Sequence, residues 1–307
     1  MTASLKGLGS RAIKGAFQKR LEEVSTASWL PLVAMMQDSD QASESYDWLS
    51  DAPVMRKKGS NPVKTTPKRY ELTVTNERYQ SALEIDIDDW RRDKTGSILK
   101  RVNERAARAA QLPMRVLTDL INSNGNAYDG VAFFHASNHV NLNGDVIANA
   151  ISVAAATGTT PTVAEASDGL LQGIQKIIGF KDDAGEPANE FAQQFLVMCP
   201  VELWAPIVGA IGNEFTTNGA SNTLKATNFA IKPVLNARLT AVDKLFIFRT
   251  DADIKPLVWQ DEVAPYLEDL NESSEYAKLN SNLLFQAQRV GGGGYGRFNM
   301  ACQVTFT

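Results

Sequence analysis

The sequence predicts a mixed fold, a compact α+β or α/β unit in which helices alternate with strands. Three observations lead there. Residues 69–88 carry two runs in which apolar and polar side chains alternate with a period of two, the mark of half-buried strands. Residues 97–123 and 162–180 place their apolar residues on one helical face, as an amphipathic helix does. Short apolar runs, Phe195–Met198, Ile231–Leu235 and Leu245–Phe248, read as strands. At 307 residues the chain can bury a sizeable core, and length alone sets a soft expectation of about two domains.

Residues 1–24 are basic, with Lys6, Arg11, Lys14, Lys19 and Arg20 and no acid before Glu22. Ile13, Phe17, Leu21 and Val24 recur at helical spacing, so the segment is either a core helix or an arm that docks on a neighbour or on nucleic acid. Residues 37–45 are polar and acidic and read as a linker. Next, Tyr70, Leu72 and Val74 form one apolar face, and Leu83, Ile85 and Ile87 another, with polar Thr75–Arg78 between them. That pattern predicts a hairpin with about ten residues per arm. A lone hairpin is marginal in water, so its apolar face is expected to be buried on neighbouring subunits.

The helix over 97–123 starts at Gly96-Ser97 and is rich in alanine, the strongest helix former. Ile98, Val102, Ala106 and Ala109 form its stripe, and Leu117, Leu120 and Ile121 continue it. Pro113 interrupts the run; an interior proline loses one hydrogen bond and clashes with the preceding turn, so a kink or break is expected. Asn122–Asn126 contains the residue types that end helices. Residues 144–161 resist assignment. A helix is expected from Thr162 to about Phe180, a strand at Phe195–Met198 stopped by Pro200, and a short helix over 202–211. Residues 212–228 read as loop. Leu283–Val290 and Phe298–Phe306 read as paired strands joined by a flexible turn at Gly291–Gly296.

Motifs with chemical potential are few. Gly291–Gly296 satisfies G-x-G-x-x-G, but a dinucleotide site needs a helix after it, and the residues that follow read as strand. His135 and His139, the only histidines, have a spacing that would suit two metal ligands, but a third ligand is required and Ala136 stands where a zinc-protease motif carries glutamate. A metal-dependent soluble enzyme built on this pair is the runner-up function. Glu84, Asp86 and Asp88 would share one strand face and repel unless cations such as Arg69 or a neighbour's lysines answer them. Cys199 and Cys302 lie in apolar runs and read as free buried thiols. The net charge of -4 argues against a dedicated nucleic-acid binder. The basic start lacks a signal-like apolar run and no stretch reaches the roughly 20 residues of a membrane span, so a reducing cytoplasm is expected.

The order of motifs carries a resemblance. Tyr46-Asp47-Trp48-Leu49 is followed by Pro53-Val54-Met55-Arg56, the alternating strands, Ile85-Asp86-Ile87-Asp88-Asp89, Thr95-Gly96-Ser97-Ile98 and the alanine-rich helix; Tyr128-Asp129-Gly130-Val131-Ala132-Phe133-Phe134 and His139 come later. This resembles the major head subunit of Mu-like phages and prophages, clearest over residues 46–140 and weaker over 262–307. The resemblance implies the tailed-phage major capsid fold, shared with the herpesvirus capsid floor. It implies an N-terminal arm at 1–50, an extended hairpin loop at 51–90, a peripheral domain at 91–149 with a spine helix at 97–123, an axial domain at 150–258, and strands at 259–307 returning to the peripheral domain. The implied function is structural, with no catalysis and no cofactor. Pentamers and hexamers would close an icosahedral shell around double-stranded DNA in the virion. Scaffold, protease and portal proteins would act during assembly in the host cytoplasm, with no membrane involved. Expected inter-subunit contacts are Phe17, Leu21, Arg69, Tyr70, Leu72, Glu84, Asp86 and Asp88, and Pro113 is the expected hinge of the spine helix. A nanocompartment shell of the same fold is the nearer alternative. Some capsids of this fold crosslink lysine to asparagine; Lys64 and Lys68 would be the candidates here.

Overall fold

The structure, a computed structural model, describes residues 2–26, 28–49, 69–93, 96–215, 221–270 and 274–307. The chain opens with helix α1 (Thr2–Thr26) and a single turn, α2 (Leu30–Val33), followed by strands β1 (Ala34–Asp38) and β2 (Ser43–Leu49). Strands β3 (Arg69–Thr75) and β4 (Glu77–Asp86) are separated only by Asn76. Helices α3 (Ile87–Arg92) and α4 (Ser97–Ser123) follow, then the short strands β5 (His139–Val140), β6 (Val146–Ile147) and β7 (Ala150–Val153). Next come α5 (Val163–Gly179), β8 (Gln194–Cys199), α6 (Trp204–Gly212), α7 (Thr223–Ala226), β9 (Ala230–Leu235) and β10 (Lys244–Arg249). The chain ends with β11 (Leu257–Leu270), α8 (Glu275–Asn280), β12 (Asn282–Tyr295), a 3-10 turn at Phe298–Met300 and β13 (Ala301–Phe306).

Two sheets carry the fold. One has the order β1-β11-β12-β4, the other β7-β13-β10-β8-β9, and β2-β3 and β5-β6 are two-stranded ribbons. The five-stranded sheet and α5 hold the larger core, in which Leu170, Ile174, Leu196, Ile247 and Val304 are fully buried. A second core lies between α1, the first half of α4 and the sheet strands β4 and β12; it gathers Ile13, Phe17, Val102, Ala106, Leu83, Ile85 and Phe285. The apolar stripe predicted along residues 98–121 divides between these two cores, so α4 ties them together.

Local signals explain the ends of the main helices. Gly96, at φ +68, supplies no side chain to cap α4; the Asp93 carboxylate instead accepts from the amides of Ser97 and Ile98. Asn124 closes the helix in the left-handed conformation, at φ 47, as expected of an Asn at that position. Thr162 and Glu165 form a reciprocal capping box at the start of α5. The helix α4 runs without interruption through Pro113, so the expected break is absent.

Several expectations are corrected. The two alternating runs are strands but not a hairpin: β3 pairs with β2, from Ser43↔Thr75 to Leu49↔Arg69, while β4 pairs with β12, from Gly291↔Glu77 to Asn282↔Asp86. Alternation reveals which face of a strand is apolar, not which strand lies beside it. Residues 37–45 are therefore not a linker but the end of β1, a bend and the start of β2. Gly291–Gly294 are not a turn but part of β12, which continues to Tyr295. The last two strands do not pair with each other: β12 lies between β11 and β4, and β13 lies between β7 and β10. Within 259–307, where strands were expected but not placed before Leu283, β11 runs from Leu257 to Leu270. Residues 50–68, which include Pro53–Arg56, Lys64 and Lys68, lie outside the described residues.

Candidate inter-subunit surface

The expected contact residues do not gather on one surface. Phe17 and Leu21 pack inside this chain, 1% and 7% exposed, against the stripe of α4. The core-helix reading of residues 13–24 therefore holds, and an ion pair between Lys14 and Asp269 fixes α1 to the far end of β11. Leu72 is buried with Val74 against Val258, so the apolar face of β3 finds its cover within the chain. The backbones of Arg69 and Tyr70 begin β3 opposite Leu49 and Trp48; their side chains lie outside the described residues.

The acidic series is split by a change of secondary structure. Glu84 is on β4 and accepts from the Tyr276 hydroxyl at 2.7 Å and from Asn282 Nδ2 at 2.8 Å. These donors hold its carboxyl below the usual glutamate value and raise the Tyr276 phenol. Asp86 is the N-cap of α3 and accepts from the amides of Asp88 and Asp89. Asp88 belongs to α3 and lies 3.5 Å from Arg92. Ile87 thus starts a helix instead of ending a strand, because a capping Asp precedes it, and no shared acidic face forms.

The glycine tract marks where elements cross. A β-carbon on Gly293 would lie 2.9 Å from Leu117 Cδ2 of α4, and one on Gly292 would lie 2.3 Å from the Thr75 carbonyl of β3. The strand is therefore compressed between the helix on one face and the β2-β3 ribbon on the other, a close approach that requires glycine. Beside this crossing, Arg289 donates through Nε and Nη2 to both carboxylate oxygens of Asp261, each at 2.7 Å. Its guanidinium sits 5.1 Å from the Trp259 ring centroid. It also reaches the Ala109 carbonyl at 3.5 Å. Ala109 precedes Pro113 by four residues, so proline leaves that carbonyl without its helical donor, and Arg289 is the group that approaches it. Sequence reasoning missed this hub, since nothing local links residues 109, 261 and 289.

Both histidines hydrogen-bond within the chain. The His139 ring is fully buried, stacked at 3.9 Å on Phe298, with Nδ1 at 2.6 Å from Asp129 and Nε2 at 3.2 Å from the Phe133 carbonyl. His135 Nδ1 accepts from the amides of Ser137 and Asn138. No group of three metal-ligating side chains occurs among the described residues. The segment around Phe133 and Phe134 plugs the core: Asn124 bonds both the amide and the carbonyl of Phe134, and Tyr295 accepts from Gly125 N while donating to the Leu120 carbonyl. Both cysteines are buried and free, and burial pushes each thiol up to about 12.

Surface features that the sequence did not announce include exposed apolar side chains at Val140, Val146, Phe191 and Leu279, the last two about four-fifths exposed (81% and 77%). No described helix is long and apolar enough to cross a membrane. The fold thus combines a helix spanning two cores, a four-stranded sheet and a ribbon laid over it. The structure resembles the bacteriophage JBD30 capsid (15% identity, TM-score 0.53), covering 90% of this chain and 64% of that one. It resembles the mature capsid of bacteriophage PhiM1 (11%, TM-score 0.58; 90% and 85% covered) and the capsid of a native GTA particle (11%, TM-score 0.57; 90% and 88% covered). The chain thus spans under two thirds of the length of the JBD30 capsid subunit. No curated protein sequence matches it. The chain belongs to the family of the Mu-like prophage major head subunit gpT, whose model matches residues 8–166.

Proposed function

We propose that this protein is the shell-forming subunit of a phage head, with a structural and not a catalytic role. The observation that carries this is the family match over residues 8–166 together with the capsid fold of the remainder. Copies associate as pentamers and hexamers into an icosahedral shell that encloses double-stranded DNA in the virion. Scaffold, protease and portal proteins act with it during assembly in the host cytoplasm. In this reading α4 is the spine, residues 150–258 form the axial domain, and the ribbon β2-β3, with Arg69 and Tyr70 on it, reaches a neighbouring subunit. Asp88 on exposed α3 is a second contact. The bare apolar side chains fit the same reading, since exposed apolar surface is costly unless another chain covers it. A nanocompartment shell is not favoured, because the sequence match is to a phage head subunit.

Light scattering on natively purified protein tests the proposal. Species many times the 33.5 kDa chain mass, formed alone or with the scaffold, are expected. A monodisperse monomer under both conditions contradicts it.

A further inference from the structure

Among the described residues, one edge of the four-stranded sheet is open. β4 pairs with β12 on one side, and no strand among the described residues pairs with its other side. It runs for ten residues, and its central stretch Tyr79–Leu83 has neither charge nor proline, the usual devices that blunt an exposed edge. Alongside this stretch lies a groove of about 260 Å³, walled by Tyr79 and Ser81 on one side and by Arg105, Arg108 and Arg115 of α4 on the other. Ala109, Leu112 and Ala287 add apolar lining.

The cations of this groove are only partly answered. Arg105 donates to the Ser81 hydroxyl at 2.7 Å, a neutral partner. Burial and the nearby Arg108 both lower its hold on the proton, and only Glu104 opposes them. Arg108 pairs with Glu104 across an exposed turn at 3.0 Å. Arg115 makes no ion pair among the described residues, with Asp119 as the nearest acid along the helix. Glu77 accepts from the Tyr79 hydroxyl, and Arg289 is held by Asp261.

We propose that the free edge of β4 and this groove bind an extended acidic peptide segment of another chain, which adds to the sheet as a strand and sets its carboxylates on Arg105 and Arg115. Three features favour a strand over a nucleic-acid duplex. The edge offers a row of main-chain donors and acceptors, which a peptide can pair and a duplex cannot. The groove is of side-chain size and partly apolar, where a duplex is met by a broad basic surface. The distances also agree: ten helical residues from Arg105 to Arg115 span about 15 Å, and strand side chains four residues apart, which share a face, lie about 13 Å apart. This binding goes beyond the shell reading and does not depend on it.

The test uses the full-length protein and a short fluorescent peptide of alternating glutamate and threonine, with a lysine–threonine peptide as control. Anisotropy is expected to rise with the acidic peptide alone, and hydrogen exchange of amides 77–86 to slow. An Arg105→Ala/Arg115→Ala double variant is expected to weaken binding about tenfold or more. Arg115→Glu, at an exposed position, gives the same result without touching the Ser81 contact. Failure of the acidic peptide to bind overturns the proposal, as does equal binding by the variants or by the lysine peptide. Binding without slowed exchange in β4 also overturns it. If a short DNA duplex binds instead and the variants lose it, the groove is a phosphate site and the proposal falls.

Discussion

Arg289 holds the fold at the scale of a residue. Its side chain is 9% exposed and that of Asp261 21%, so the pair is largely removed from water, and the same guanidinium serves the carbonyl that Pro113 leaves free. Removing one member of a buried pair strands the other. Arg289→Leu is therefore expected to cost about 3–5 kcal/mol in denaturant unfolding; a loss below about 1 kcal/mol would mean that the pair behaves as a surface salt bridge. A second residue-scale prediction concerns pH. The amides of Thr162 and Ala156 and the Thr162 hydroxyl hold the Glu165 carboxyl below its ordinary value. A depressed carboxyl contributes stability that is fully present above its unfolded value, near 4.3, and is lost as pH falls through the folded value. Glu165→Gln should flatten stability against pH in that acid window by lowering stability at neutral pH, and leave stability below the folded value little changed. An unaltered acid profile would remove Glu165 from the account. At this scale the sequence was partly legible. Thr162 and Glu165 stand at the spacing of a capping box, and the cysteines read correctly as buried thiols. Arg289 did not, because its three partners are distant in sequence.

The glycine strand is the sharpest case among the elements. Gly292 and Gly293 face β3 and α4 with no room for a β-carbon, whereas Gly179, the last residue of α5, has nothing within 4 Å of the same position. Gly292→Ala should displace the β2-β3 ribbon and lower stability by at least about 1–3 kcal/mol, the range of overpacked sites. Gly179→Ala should be neutral or gain up to about 1 kcal/mol. Thermal unfolding of the two variants checks this, and equal effects would contradict the crossing. For α4, Pro113→Ala restores an amide to the Ala109 carbonyl and should stiffen the helix. If Pro113 is the hinge, that variant assembles but fails to mature; normal maturation would remove the hinge. Helix α4 was legible to its bounds because stripe, alanine content and terminal Asn all agree. Pairing was not legible: β3 and β4 follow each other across Asn76 alone, yet they serve different sheets. The glycines look like a turn because the helix and ribbon that demand them are far away in sequence.

For the whole molecule, the resemblance over residues 46–140 named the family before the fold was known, and motif order persuaded where single motifs could not. It did not foresee that the chain buries its own α1 stripe and strand faces, so the exposed surface left for neighbours is smaller and differently placed than expected. Phe17, Leu21 and Leu72 are core, while Val140, Val146, Phe191 and Leu279 stand in water. Association that covers such surface also stabilises each folded subunit. The central claim is that this surface belongs inside a closed shell. Sizing chromatography of native protein followed by electron micrographs tests it most directly. The account predicts shells, tubes or rings whose averages resolve into five- and six-membered capsomers. A well-behaved monomer, persisting with the scaffold present, would contradict it.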